Sequence, residues 1–395
     1  MYDAVIDEID GRRIRIGDDW LVDWASCNYL GFDLDEEIIA SVEPQLRRWG
    51  THPGWSRMLG SPRLYPQIEE RVTELLGAED TLVLPTISQI HLGVIPALAG
   101  TGTILIESRA HKTVYDGCVF ARGQGATLRR FRSGDLDELA GLLRGVTARP
   151  VLVCIDGVNS MTGNIPDLRG YARLCRENGA LLYVDDAHGM GVIGERSPVE
   201  ETPYGLRGNA IVRHAGESYD DIVLVGGFSK AYSSLLAFLA LPTALKNHLK
   251  VAAPTYLYSG PSPVASLATV LAGLDVNDTR GDQLRTDLYF LTAKLLTHVR
   301  GLGIHTLNTD DTPVVEIPIS PEHDLIGVSE RLWAAGQYVT LAPYPGVPRA
   351  EIGFRIQLTA AHTQAQVDAL NNVLTELAAD GVLRQSIPRQ RDPVD

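Results

Sequence analysis

Cysteine is scarce in this 395-residue chain: Cys27, Cys118, Cys154 and Cys175 are the only four. None forms a C-x-x-C pair or a Cys/His cluster with metal-ligand spacing, so neither disulfides nor structural zinc is expected, and no metal is assigned. Long apolar runs are also missing. No segment reaches the ~18 uncharged apolar residues that a membrane span needs. The first residues, Met1-Tyr2-Asp3-Ala4-Val5-Ile6-Asp7-Glu8, lack the basic-then-apolar layout of a signal peptide, and a cytoplasmic location is expected. A surplus of positive charge is lacking too. The formal net charge is −14, which disfavours a nucleic-acid partner. The run Arg129-Arg130-Phe131-Arg132 is isolated and reads as a solvated face or strand end. No internal repeat or low-complexity tract precedes the last dozen residues, and the polar tail 389–395 is expected to fray.

What is present suits a soluble globular protein with a large core. Hydrophobic residues make up 45% and charged residues 21%, and the length fits two or three packed units. Residues 1–30 read as short strands around the turn signals Asp10-Gly11 and Gly17-Asp18-Asp19. Helical spacing follows at 34–49 and 66–76. Short continuous apolar runs then recur at 81–84, 103–106, 151–155, 181–184 and 222–225, with helix-length stretches such as 135–144 and 167–178 between them. Buried strands alternating with helices predict an α/β fold with a mainly parallel sheet covered on both faces. From about 275 the chain changes to helices (284–299, 325–335, 364–378) and strands (313–318, 353–358), a smaller α+β unit. The expected domains are an N-terminal segment 1–45, a large α/β domain 46–275 and a small C-terminal domain 276–395.

In parallel sheets ligands collect at the carboxyl ends of the strands. Those ends carry polar residues here: Asp156-Gly157, Asp185-Asp186-Ala187-His188-Gly189, and Gly226-Gly227-Phe228-Ser229-Lys230. A lysine amine can join an aldehyde as a Schiff base, and a buried carboxylate can hold a pyridinium nitrogen protonated. Pyridoxal 5'-phosphate (PLP) catalysis needs both. Lys230 and Asp185 are the candidates. Each residue has a blander role when taken singly. A lysine after a strand is usually solvated, Asp185 and Asp186 could cap a helix, and His188 could be a core histidine. The order and context of all three together favour the cofactor. His111, just past the strand at 103–106, could stack on a pyridine ring or be a plain loop histidine, and the residues leave both open.

Six stretches carry a family resemblance. They are Ala25-Ser26-Cys27-Asn28-Tyr29-Leu30-Gly31, His111-Lys112-Thr113-Val114-Tyr115-Asp116-Gly117, Asp156-Gly157-Val158-Asn159-Ser160-Met161-Thr162-Gly163, Val184-Asp185-Asp186-Ala187-His188-Gly189, Phe228-Ser229-Lys230 and Arg355-Ile356-Gln357-Leu358-Thr359-Ala360-Ala361-His362-Thr363. In this order, from about Val22 to Ala378, they resemble the α-oxoamine synthase group of fold type I PLP enzymes. The resemblance implies an aspartate-aminotransferase-like fold and a role for each matching residue. Lys230 carries PLP and moves protons at the substrate α-carbon. Asp185 pairs with the pyridine nitrogen, His188 and Ser160 face the ring 3'-oxygen, and His111 stacks on the ring. Ser229 and the loop Thr86-Ile87-Ser88 match phosphate-binding positions. Ser259 and Gly260 fall where the family reaches across a homodimer interface. Arg355, Asn28 and Arg57 match substrate-binding positions, and the Arg355 fork suits a carboxylate.

The pattern breaks close to the cofactor positions. Gly227 stands where the family commonly has threonine. Thr86-Ile87-Ser88-Gln89-Ile90-His91 replaces a Ser/Thr-Gly-aromatic-x-x-Asn loop, so Ile87 replaces a glycine and His91 ends the motif in place of asparagine. Ser233, Leu236 and Ala237 replace glycines after the lysine. The Gly-rich loop becomes Gly50-Thr51-His52-Pro53-Gly54-Trp55-Ser56-Arg57, and Tyr65 replaces a histidine. Drift in a distant but ordinary member is one explanation of these changes; a reshaped substrate pocket is the other, and it is favoured because substitutions at glycines beside a cofactor change the available volume directly.

The leading expectation is a PLP-dependent transferase that condenses an amino-acid α-carbanion with an acyl thioester. One rival keeps PLP for elimination, γ-replacement or annulation of a functionalised amino acid such as S-adenosylmethionine. Another is simple aminotransfer. A binding or regulatory protein that has lost catalysis fits poorly with the retained Lys230, Asp185 and His188.

Overall fold

A computed structural model of the protein describes residues 1 and 3–385, so the tail 389–395 lies outside the described residues. These residues form two compact units. One comprises 35–159 and 165–282. The other comprises 1–34, the short segment 160–164, and 283–385. The sequence boundaries after 45 and 275 thus compare with observed divisions after 34 and 282. Pairing explains the membership of the second unit. Three N-terminal strands, β1 (Glu8–Asp10), β2 (Arg13–Ile16) and β3 (Asp19–Asp23), form an antiparallel meander with turns at Gly11 and Gly17. The partner of β3 is a two-residue strand at Gln337–Tyr338, which takes Val22 against Gln337 in parallel. Segment 160–164 belongs there because the Asn164 side chain accepts from the Thr309 amide at 2.9 Å and the Thr312 hydroxyl donates to the Gly163 carbonyl at 2.7 Å.

The larger unit is built on a seven-stranded sheet. Its strands are β4 (Asp80–Leu84), β5 (Thr103–Glu107), β6 (Thr127–Phe131), β7 (Val151–Asp156), β8 (Leu181–Asp185), β9 (Ile222–Gly227) and β10 (Ala237–Leu241). Their spatial order is β4-β10-β9-β8-β7-β5-β6. The run β9-β8-β7-β5-β6 is parallel, and β10 is antiparallel to both its neighbours. All residues of β5, β7, β9 and β10 are buried, as a sheet covered on both faces requires. The five apolar runs read from the sequence are all strands. Two further strands were not read. β6 is an edge strand in which Arg129 is exposed and Arg130 half-buried beside buried Phe131, so its apolar signal is short. β10 is antiparallel and joins β9 through the loop 228–236, so no helix precedes it to mark a βα repeat.

Six helices of this unit bear on the site: α1 (Glu36–Trp49), α2 (Leu64–Leu76), α3 (Ile87–Ala99), α4 (Lys112–Gly123), α5 (Leu136–Arg144) and α6 (Leu168–Glu177). Their starts are marked by side-chain caps from Asp35, Thr86, His111, Asp135 and Asp167, all but α2. The 38-residue helix Val264–Gly301 contains the division at 282. The smaller unit also holds an antiparallel three-stranded sheet, in which Gly353–Gln357 is central between Val314–Pro318 and Thr340–Ala342. Among the described residues no helix is long and apolar enough to cross a membrane. No group of three or more His, Cys, Asp or Glu side chains could hold a metal there.

Candidate active site

β8 and β9 are adjacent and parallel, and their carboxyl ends deliver Asp185 and, three residues past Gly227, Lys230. Asp185 is buried. Its Oδ1 accepts from the Ala187 amide at 3.2 Å, and its Oδ2 lies 2.9 Å from Nε2 of His91. Burial pushes this carboxyl up, but His91, Lys230 and His111 together override it and hold it below its ordinary value. An ionised carboxylate is thus kept in the interior within the field of a lysine amine.

The neighbours differ in kind. Asp156, at the end of β7, is pushed well up by burial and by the Asp185 charge. Its Oδ1 accepts the His111 amide at 2.9 Å. That bond fixes the loop that begins α4. The His111 ring is exposed, and its Nδ1 lies 2.8 Å from the Thr113 hydroxyl as part of the helix cap. Asp186 is structural. It receives the Val158 and Ile211 amides at 3.1 and 2.8 Å, and burial raises it to about 6. His188 is buried just beyond β8.

The start of α3 has free backbone donors of the kind that could hold an anion. The Thr86 hydroxyl accepts from the Gln89 amide at 3.2 Å, so it is engaged as the cap. The first-turn amides of Ile87 and Ser88 have no carbonyl partner inside a helix and face outward with the positive end of its dipole. Ile87 and Gly227 are complementary in space. A Cβ at Gly227 would fall 2.3 Å from Ile87 Cδ1, so the isoleucine fills the room a side chain at 227 would use. Ser229 is exposed between Gly227 and Lys230. Ser233 has a left-handed backbone, at φ 53°, and its amide closes a turn onto the Lys230 carbonyl at 2.9 Å.

The remaining candidates lie in separate places. Ser259 donates to Gln89 Oε1 at 3.2 Å beside exposed Gly260, which sets both near the α3 start. Arg57 is built into the framework. Its guanidinium reaches Ser61, the Val83 carbonyl and Glu69 and lies over the Tyr65 ring. With all three nitrogens engaged, it is an anchor for its loop rather than a group presented to a ligand. In the other unit, Asn28 donates to Asp33 at 2.9 Å. Arg355 donates from Nη1 to the Ser160 carbonyl and to Met161 Sδ, and its buried Nε has no partner among the described residues.

The chemistry of this donor set fits PLP: an amine for the aldehyde, a buried anion for the ring nitrogen, and a helix N-terminus for the phosphate. Sequence reasoning noted His91 only as a departure from the loop pattern. Its pairing with Asp185 and Tyr183 was not foreseen, because the partners are about 90 residues away. The signal available was a histidine inside an otherwise apolar helix face.

Residues 21–374 match the family described as Aminotransferase class I and II. An 8-amino-7-oxononanoate synthase of Marinobacter nauticus is 32% identical, over 94% of this chain and 90% of its own length. One from Alkalilimnicola ehrlichii is 34% identical, over 91% and 87%. Among solved structures, a serine palmitoyltransferase variant from S. paucimobilis with a bound PLP–myriocin aldimine superposes with a TM-score of 0.86. It is 23% identical and covers 96% of this chain and 93% of that one.

Proposed function

Since this chain belongs to the aminotransferase class I and II family, and within it to the α-oxoamine synthase group, we propose that Lys230 and Asp185 form the catalytic core of its PLP site. The protein is a PLP-dependent transferase that condenses an amino acid with an acyl thioester. The observation that carries the site assignment is the ionised, buried Asp185 beside Lys230 at adjacent parallel strand ends. When bound, PLP supplies an electron-withdrawing pyridinium conjugated to the substrate amine, which makes negative charge at the α-carbon accessible.

The chain's own residues do the rest. Asp185 keeps the ring nitrogen protonated by facing it as an anion. Lys230 anchors the cofactor and moves the proton at the α-carbon. His111 covers the ring face, held at the Asp156 side by its backbone. His188 and Ser160 are assigned to the 3'-oxygen. The amides of Ile87 and Ser88, with Ser229, hold the phosphate. Arg355 receives a carboxylate, for which its guanidinium fork is suited. In the reaction the α-carbon loses a proton or carbon dioxide and bonds to the acyl carbon. The C–S bond breaks, and the thiol leaves with a proton.

A second copy of this chain is the proposed partner, with Ser259 and Gly260 at the interface. Tyr258, Trp55, Met58 and Leu59 are all more than half exposed. Arg57 stacks on Tyr256 and so ties the loop that carries Trp55, Met58 and Leu59 to the short helix Pro254–Tyr258. Exposed apolar side chains so grouped suit burial by a partner. The cytoplasm is the proposed location.

The test loads the protein with PLP, reduces it with borohydride and maps the adduct by mass spectrometry. The expected adduct is on Lys230, and its absence there overturns the site. Amino acids are then screened with acyl thioesters for free thiol. Turnover without thioester would instead favour elimination or annulation, and a keto acid would favour aminotransfer.

A further inference from the structure

His91 is the loop residue that replaces asparagine, and it is fully buried. Its two ring nitrogens face different partners. Nε2 is 2.9 Å from Asp185 Oδ2, and Nδ1 is 2.8 Å from the Tyr183 hydroxyl. The Tyr183 ring stands edge-on to the imidazole, with centroids 5.7 Å apart. The packing of α3 on α4 is tight at this level. A Cβ on Gly117 of α4 would fall 2.5 Å from the His91 carbonyl oxygen. The histidine is therefore clamped by its helix, a tyrosine and a carboxylate.

We propose that His91 is a positioning residue of the cofactor site: its Nε2–H fixes the Asp185 carboxylate toward the pyridine nitrogen, and Tyr183 fixes the imidazole from its other edge. This rests on the PLP reading above. The groups facing Asp185 are His91 from α3, Lys230 past β9, His111 at the head of α4, Asp156 from β7, and Tyr183 and Asp186 from its own strand and the residue after it. Of these, His91 alone donates a side-chain hydrogen bond to it among the bonds described. An asparagine could not replace that contact. Its amide nitrogen occupies the place of Nδ1 and stops one atom row short of Nε2, so it would reach Tyr183 and miss Asp185. A glutamine amide falls near the place of Nε2 and would do the reverse.

The two substitutions separate positioning from packing. His91→Asn, His91→Gln and Tyr183→Phe are prepared as full-length PLP-loaded proteins and checked for folding by thermal melting. PLP affinity and the pH midpoint of the cofactor's visible absorbance are then measured. In His91→Asn the ring nitrogen holds its proton less firmly. A positive charge leaves the conjugated system, so the low-pH form persists to higher pH. The expected shift is upward by about one pH unit, with PLP bound roughly tenfold more weakly, as for loss of one charge-assisted hydrogen bond. His91→Gln should stay close to wild type, and Tyr183→Phe should shift the midpoint upward by less. If His91→Asn does not fold, the Gln and Phe variants decide. An unmoved Tyr183→Phe midpoint together with a Gln variant shifted like a full loss overturns the proposal. So does an His91→Asn midpoint equal to wild type. A wild-type protein that takes up no PLP overturns the cofactor reading itself, a result distinct from either.

Discussion

Two buried histidines, one in each unit, show how similar burial leads to different work. His362, in the smaller unit, hydrogen-bonds to neutral groups. Its Nδ1 accepts from the Thr359 amide at 3.0 Å, its Nε2 lies 2.9 Å from the Asp23 carbonyl, and its ring stacks on Trp24 at 4.1 Å. Burial pushes it down to about 4, with the Arg12 charge adding to that, so it stays neutral and structural. His91, in the larger unit, faces a carboxylate instead. The partner, and not the depth, decides whether a histidine stabilises a fold or serves a site.

The comparison can be broken first on the carboxylate side. Asp185→Asn keeps the shape and removes the anion. Turnover is expected to fall roughly 10²–10³-fold, the scale of one lost electrostatic contact to developing charge. Steady-state assays with a PLP-saturated variant measure this, and a fall under tenfold would make the Asp185–His91 pair a mere packing feature.

His362 gives the opposite signature, one of stability. Its folded value near 4 lies below the unfolded 6.5, so the unfolded chain binds the extra proton between them. The stabilisation is complete above about pH 6.5 and is lost as pH falls toward 4, by about 3 kcal/mol. Denaturant titrations at pH 7 and 4.5 should show this loss in wild type and a smaller one in His362→Gln. Equal losses would mean that other groups set the slope.

A smaller effect sharpens the picture at the phosphate end of the site. Gly227→Thr restores the family hydroxyl but drives its Cβ toward Ile87. Overpacking should lower stability by about 1 kcal/mol. Adding Ile87→Gly should return most of it and tighten PLP binding, a coupling that a double-mutant cycle reads directly. The smallest expected change is at Ser233. Replacing it with glycine relieves a left-handed backbone at the expense of chain entropy, a net gain of roughly 0.5 kcal/mol in thermal unfolding.

The sheet was legible because its strands are continuous apolar runs, and the helices at 36–49 and 64–76 because their apolar residues recur at helical spacing. Lys230 and Asp185 were legible because strand ends are where polar residues of an α/β sheet mean something. Three things were not. Residues 1–34 gave no sign of pairing with Gln337–Tyr338, since register between distant strands leaves no local pattern. Arg57 looked available until Glu69 and Val83 were seen to occupy it. His362 sits inside a family motif and His91 departs from one, yet it is His91 that touches Asp185. Motif membership reports what is shared across a family, whereas contact depends on side chains that meet only after folding.

Gly117 sets the limit on how far such a site can wander. With α4 seated against the His91 carbonyl, there is no room there for even a methyl group. Any larger residue at 117 would wedge the two helices apart and swing the imbedded imidazole like a hand on a turned wrist. The aim of a ring toward a charge one strand away is thereby entrusted to the width of a gap between two backbones.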